Sequence, residues 1–319
     1  MLIRAGFEIA IHVDAPTPIL CALSPHPEGL APVAGTGALE VEPPAPIETY
    51  LDDFDNRISR LVLPGGGATL TSDFVVAHDG SADAAAPEAA QASVDDLPDA
   101  TLLYLMPSRF CESDLLAGEA WRRFGGVAAG WSRVQAICDF VHDHIAFGYG
   151  YGSPTKTAAD AMREGRGVCR DFAHLAIALC RAMNIPARYA SGYLGDIGIP
   201  PQPEPMDFCA WFEVWLGGRW HTFDARYNTP RIGRILMVRG RDAADTAMIA
   251  SFGAHRIESF RVWCDEVSGA IDFPVSRRLR VNGVPAPPPV GAGLVADADG
   301  RTEAPRRGRA GFAVPPAAR

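Results

Sequence analysis

The chain has 319 residues, 48% of them hydrophobic, and a net charge of −9. That length suits two domains with irregular ends, and the composition supplies ample material for buried cores. The acidic balance argues against general nucleic-acid binding, which favours concentrated Lys and Arg, and no run of about 18 apolar residues suggests a membrane span. In chain order, the first residues interrupt any signal-peptide profile with Glu8 and His12. Phe7, Ile9, Ile11 and Val13 alternate with Glu8 and His12, the pattern of a half-buried strand. Residues 57–63, the run Pro64-Gly65-Gly66-Gly67 and residues 68–76 read as strand, turn, strand. Residues 80–93 are rich in alanine and acidic side chains and read as a linker or loop. Val134, Ile137, Val141 and Ile145 form the apolar face of a helix that carries His142 and His144 near its end.

The next helix holds the chemistry. Gly165 and Gly167 permit a tight turn, and Cys169 opens a run that extends to about Met183, where Asn184-Ile185-Pro186 stops it. Phe172, Leu175, Ala176, Leu179 and Met183 recur at helical spacing, so one face should pack on a core. A thiol at a helix start sits beside unpaired N–H groups and the positive end of the helix dipole, and both stabilise the reactive thiolate. The competing reading is a buried structural cysteine like Cys180, since free cysteine is among the most buried residue types.

A hairpin follows. Asp207-Phe208-Cys209-Ala210-Trp211-Phe212-Glu213-Val214-Trp215-Leu216 is aromatic and β-rich, Gly217-Gly218 is a two-residue loop, and Arg219-Trp220-His221-Thr222-Phe223-Asp224 returns. That loop length places Leu216 opposite Arg219 and Trp211 opposite Asp224, with Cys209 diagonally across from Asp224. Cys209, Trp211 and Asp224 are expected on one face, turned toward the start of the Cys169 helix. Phe212, Val214, His221 and Phe223 are expected on the other.

These segments resemble the transglutaminase-like superfamily of cysteine proteases and amidases. The resemblance rests on Gly167-Val168-Cys169-Arg170-Asp171-Phe172-Ala173-His174-Leu175, on Ile185-Pro186-Ala187-Arg188-Tyr189 with Ser191-Gly192-Tyr193, and on Ala210-Trp211-Phe212-Glu213-Val214 through Trp220 and Phe223-Asp224. It spans roughly residues 110–260. It implies an α+β fold with a papain/transglutaminase-like core, a cysteine-bearing helix packed on an antiparallel sheet, preceded by a small mostly-β domain. The expected layout is a β domain at 1–79, a linker at 80–109, the transglutaminase-like domain at 110–284 and a Pro/Ala/Gly-rich disordered tail at 285–319. The resemblance matches Cys169 to the family nucleophile and Asp224 to the carboxylate that orients a histidine. Where members usually carry that histidine, immediately before Ala-Trp, this chain carries Cys209.

The departure matters because the histidine takes the nucleophile's proton and returns it to the leaving amine. A thiol, with a reference pKa near 8.5, cannot be the cation of a thiolate–imidazolium pair. None of the chain's eight histidines is an evident substitute. His221 falls on the wrong face, His174 lies about 140° round the helix from Cys169, and His142 and His144 sit at a helix end. His255, His12, His26 and His78 have no evident tie to Cys169. Three functions follow. The first is a thiol enzyme forming a Cys169 thioester on peptide or glutamine-type amides, hydrolytic rather than crosslinking and impaired by Cys209. The second is an inactive domain that binds peptides or proteins. The third is a metal or redox site at Cys169, Cys209 and Asp224, although their spacing matches no zinc ribbon. The reading taken forward has a peptide or protein amide as substrate and invokes no cofactor, metal, nucleic acid or membrane. Seven cysteines without CxxC spacing point to a reducing cytoplasm.

Overall fold

A computed structural model describes residues 1–203 and 205–267. The tail expected at 285–319 lies outside the described residues. The chain begins with strands β1 (Leu2–Val13), β2 (Thr17–Cys21), β3 (Pro32–Ala34), β4 (Glu40–Glu42), β5 (Glu48–Leu51), β6 (Arg57–Leu63) and β7 (Gly66–Ala77). Helices α1 (Asp99–Leu102), α2 (Ser113–Phe124) and α3 (Trp131–His144) follow, then β8 (Ala146–Phe147), α4 (Ala158–Glu164), β9 (Arg166–Gly167) and α5 (Cys169–Ala182). Strands β10 (Ala187–Tyr193), β11 (Cys209–Leu216), β12 (Arg219–Phe223), β13 (Ile235–Gly240), β14 (Ile249–Ser251) and β15 (His255–Val267) complete the described chain.

The early strands build two sheets. One has the order β15-β1-β7-β3 with β4 also on β7, and the other has the order β14-β2-β6-β5. Strand β1 alternates apart from the buried Gly6, with Ile3, Ala5, Phe7, Ile9, Ile11 and Val13 all fully buried. The run Pro64-Gly65 does join two strands as predicted, yet β6 and β7 enter different sheets, so the turn crosses between layers instead of closing a hairpin. The chain also returns to this unit at its far end, where β15 pairs with β1 over nearly its whole length and β14 pairs with β2.

The second unit is a four-stranded antiparallel sheet of order β12-β11-β10-β13, with α5 packed on β10 and β11 and flanked by α2, α3 and α4. Helical spacing predicted one buried face for α5. The helix is instead buried all round, from Cys169 to Arg181. Its polar side chains tolerate this because they meet internal partners, as buried polar groups must. Arg181 donates to the carbonyls of Ala187, Met106 and Arg241 and to Ser108 Oγ. His174 accepts the Ala243 N–H at 3.1 Å and stacks on Phe110. Asn184, with φ of 60°, turns the chain out of the helix where the sequence signals a stop.

The two units share apolar packing. Tyr193, Phe208, Ile235, Met237 and Val238 join the same buried cluster as the β1, β7 and β15 side chains. Phe208 is its aromatic centre, with ring centroids 6.1 Å from Phe7, 5.1 Å from Tyr193 and 5.7 Å from Phe260. The alanine-rich stretch read as a linker is tied down by backbone hydrogen bonds: Ala89 O accepts the Trp131 N–H and Ala90 O accepts the Gly217 N–H.

Candidate active site

Three pieces of backbone place Cys169. Strand β9 pairs in parallel with β8, Phe147 opposite Gly167, and delivers the chain to the start of α5. The Val168 N–H donates to Asp171 Oδ2 at 3.0 Å, which satisfies one of the donors exposed at the helix start. Asp171 approaches so closely that a Cβ on residue 167 would lie 2.6 Å from its carboxylate oxygen, which explains Gly167. Cys169 is therefore the first residue of the helix, and its sulfur lies 4.0 Å from the Phe208 carbonyl oxygen.

The hairpin supplies the other side of the cleft. Gly217 and Gly218 both have positive φ, 57° and 84°, as a two-residue hairpin turn requires. Leu216 pairs with Arg219 as the loop length predicts, and the ladder continues through Val214–His221 to Phe212–Phe223. The facing of the sheet differs from the expectation. Ala210, Phe212, Val214, Leu216 and Phe223 share the buried cluster of α5, so theirs is the helix side. Trp211 packs with Ala190 and Leu236 on the reverse side, under the Arg234 guanidinium. Strand alternation gave the two faces correctly; which of them α5 covers is a matter of tertiary packing. Cys209 nevertheless meets Cys169. It is the first residue of β11, beyond the last β12 pair, and the carbonyl of Phe208, the residue bonded to it, lies 4.0 Å from the Cys169 sulfur.

Asp224 is buried one residue past β12. Its Oδ1 accepts the N–H groups of Arg226 (3.0 Å) and Tyr227 (3.1 Å), and its Oδ2 accepts Arg234 Nη2 at 2.9 Å. Its negative charge raises the Cys209 thiol without a hydrogen bond to it. The carboxylate thus organises the turn that carries Arg226, a residue that sequence reasoning missed. Arg226 lies over the Phe147 ring (3.6 Å to the centroid) and the Tyr227 ring (4.6 Å), and its carbonyl accepts from the His142 ring. Burial presses its guanidinium pKa down, but the charges at Cys169 and Cys209 outweigh that and raise it. A basic residue two positions past the predicted carboxylate was the available signal.

The electrostatics separate the two thiols. The neighbouring Cys209 thiol lowers the Cys169 pKa to about 7 against the opposing effect of burial, and the Arg226 charge and the Ala210 N–H reinforce it. Cys209, beside the Cys169 thiol, buried and near Asp224, is held well above its ordinary value, and its S–H donates to the Ala210 carbonyl at 3.7 Å. The assignment is physically sensible: Cys169 has the helix start and Arg226 beside it, whereas Cys209 faces a carboxylate.

No histidine hydrogen-bonds to Cys169 among the described residues. His221 was expected behind the sheet. Its partner Val214 places it on the helix side, but there it packs edge-on against Trp131 and hydrogen-bonds to the Leu216 carbonyl at 3.1 Å. His144 is taken by the Met162 carbonyl, and His174, fully buried, is held neutral by desolvation. No group of three or more His, Cys, Asp or Glu side chains suited to a metal ion occurs among the described residues. No helix among them is long and apolar enough to cross a membrane.

Comparison with known proteins agrees with this arrangement. The family model of the transglutaminase-like superfamily matches residues 122–225, which include Cys169, Cys209 and Asp224. A solved structure from Cytophaga hutchinsonii, described as a candidate cysteine protease, is 31% identical, with a TM-score of 0.74 over 85% of this chain and 92% of that one. The chain belongs to the transglutaminase-like superfamily. An uncharacterised protein of Mycobacterium leprae is 36% identical over 124 residues, 38% of this chain and 40% of that protein. One of Mycobacterium tuberculosis is 36% identical over 110 residues, 31% of this chain and 35% of that protein. The chain therefore spans about two-fifths or less of these curated relatives.

Proposed function

We propose that this transglutaminase-like protein is a thiol enzyme that accepts acyl groups on Cys169 from peptide or glutamine-type amides and releases them by hydrolysis. The observation that carries this reading is the position of Cys169 as the first residue of α5, where the neighbouring Cys209 thiol, the Arg226 cation and the Ala210 N–H pull its pKa down to about 7. A thiolate attacks a carbonyl and forms a thioester without a base to activate it. Expelling an amine is harder, because the leaving nitrogen needs a proton. Cys209 carries the proton nearest the nucleophile, but its raised pKa makes it a weak acid, and Arg226 does not release a proton near neutrality. Acylation by esters and thioesters is then fast and turnover of amides slow. All seven cysteines are free thiols, which supports a reducing cytoplasm as its place of action.

The test is mass spectrometry during turnover of an activated aryl ester and of the matching anilide. The expected result is one acyl group per chain on Cys169 with the ester, slow release from the anilide, and neither in Cys169→Ala. Acylation elsewhere, or unchanged turnover in Cys169→Ala, would overturn the proposal. The absence of an imidazole beside the nucleophile favours a second reading, an inactive domain that binds peptides. Under that reading Cys169 stays unmodified, and Cys169→Ala binds peptide as tightly as the natural protein.

A further inference from the structure

The proposed nucleophile has a second thiol where its relatives' proton carrier would stand, and both belong to one buried cluster in which the Cys169 sulfur lies against the carbonyl of Phe208, the residue bonded to Cys209. Both thiols are reduced and lie in one buried cleft, Cys169 4.0 Å from the Phe208 carbonyl and Cys209 3.7 Å from the Ala210 carbonyl. The cation beside them is Arg226. Its guanidinium stacks on Phe147 and Tyr227 and makes no hydrogen bond among the described residues, which leaves its N–H donors for a small oxygen-bearing molecule. We propose that Cys169 and Cys209 are a reversible dithiol–disulfide couple, in which a hydroperoxide oxidises Cys169 and Cys209 resolves the product.

The inference rests on Cys169 being the site's nucleophile. In the first step the Cys169 thiolate attacks the outer oxygen of ROOH. A sulfur–oxygen bond forms, the O–O bond breaks, and RO⁻ leaves to take a proton from water. The product is a sulfenic acid at Cys169. Arg226 supports both ends of this step, since it stabilises the thiolate and can donate to the departing oxygen. In the second step the Cys209 sulfur attacks the Cys169 sulfur. The S–S bond forms, the S–O bond breaks, and hydroxide leaves as water with the proton from Cys209. In sum the dithiol loses two electrons and two protons, and the hydroperoxide becomes an alcohol and water. A small thiol or dithiol reverses the change by exchange. While the disulfide stands, Cys169 cannot form a thioester, so peroxide suspends the proposed acyl chemistry and shields the nucleophile from irreversible oxidation.

A contrast within the molecule supports the choice of pair. Cys138 and Cys180 also lie near each other, but burial raises both thiols and no cation joins them both, so neither supplies a thiolate near neutrality. The test treats the full chain with equimolar hydrogen peroxide, then denatures it, caps the remaining thiols with N-ethylmaleimide and maps the peptides. The expected product is a Cys169–Cys209 linked peptide, with loss of capping at those two positions only and recovery by dithiothreitol. Cys209→Ser should instead accumulate a Cys169 sulfenic acid that dimedone traps, and Cys169→Ser should leave Cys209 capped. Sulfinic Cys169 beside a capped Cys209 in the natural protein, or a Cys138–Cys180 link formed first, would overturn the proposal. If the disulfide forms while aryl esters never acylate Cys169, the acyl-transfer reading fails and the couple stands. If acylation occurs without the disulfide, the reverse holds.

Discussion

At the scale of single residues, what distinguishes Cys169 from the cysteines outside the cleft is its set of neighbours, not its burial. Cys21 and Cys264 are pushed up to about 12 by desolvation, and Cys111, Cys138 and Cys180 are raised as well. Cys169 is nearly as enclosed, but the Cys209 thiol, the Arg226 cation and the Ala210 N–H beside it lower its pKa. Limiting iodoacetamide at neutral pH should therefore label Cys169 first, as peptide mass spectrometry will show. The thiolate is the reactive, deprotonated form, so the labelling rate should rise with pH through a midpoint near 7 and fall about tenfold per pH unit well below it. Arg226→Gln should move that midpoint upward by about one pH unit, because an opposite charge at close range favours the charged form by that order. An unchanged midpoint would remove Arg226 from the site. Cys209→His tests the missing base directly. With Asp224 near position 209, an imidazole there should raise anilide hydrolysis by about 10² to 10⁴ in rate, with Cys209→His/Cys169→Ala as the inactive control. A slower histidine variant would show that another group already moves the proton.

At the scale of elements, the nucleophile depends on how α5 begins. Gly167 leaves room for the Asp171 carboxylate to cap the Val168 N–H, and that contact fixes the first turn whose N–H groups face the cleft. In Gly167→Ala the new methyl and the carboxylate cannot both keep their places. The expected loss is about 1–3 kcal/mol in a denaturant melt, the range for forced overpacking. The Cys169 labelling midpoint should rise with it, since the displaced turn aims its donors elsewhere. The hairpin contributes in a comparable way. Its glycine loop fixes the β11–β12 register, which carries Asp224 to the turn that presents Arg226. Asp224 acts here through backbone N–H groups and Arg234, so Asp224→Asn, which keeps the shape and loses the charge, should weaken the turn more than it alters the position of Cys209.

At the scale of the whole molecule, the β unit helps to build the cleft. Phe208, whose carbonyl lies beside the Cys169 sulfur, is buried among Phe7, Tyr193 and Phe260, two of them from β1 and β15. Truncating so enclosed an aromatic typically costs about 3–5 kcal/mol. Phe208→Ala should lower the melting temperature and also slow alkylation of Cys169. Tyr193 of β10 and Ile235, Met237 and Val238 of β13 share that cluster, and β15 has β1 as its partner strand. A fragment beginning at residue 80 exposes these surfaces together, so it should show no cooperative thermal transition by circular dichroism. A sharp melt from that fragment would mean the cleft stands without the β unit.

Local pattern was enough to read the alternation of β1, the helix opened by Cys169, its stop at Asn184 and the hairpin register, because each follows from spacing along a few neighbouring residues; the α+β fold came from the family resemblance. The same spacing could not say that α5 is buried on every side, that α5 covers the Phe212 face instead of the Trp211 face, or that consecutive strands β6 and β7 part into different sheets. Those outcomes depend on which surfaces meet, and a strand's period labels two faces without saying what packs on either. Arg226 was illegible for the same reason. Its sequence position follows Asp224 closely, but its work at Cys169 exists only once the hairpin, β8 and the start of α5 converge and exclude water, where one charge can shift a thiol that it would scarcely affect in solvent.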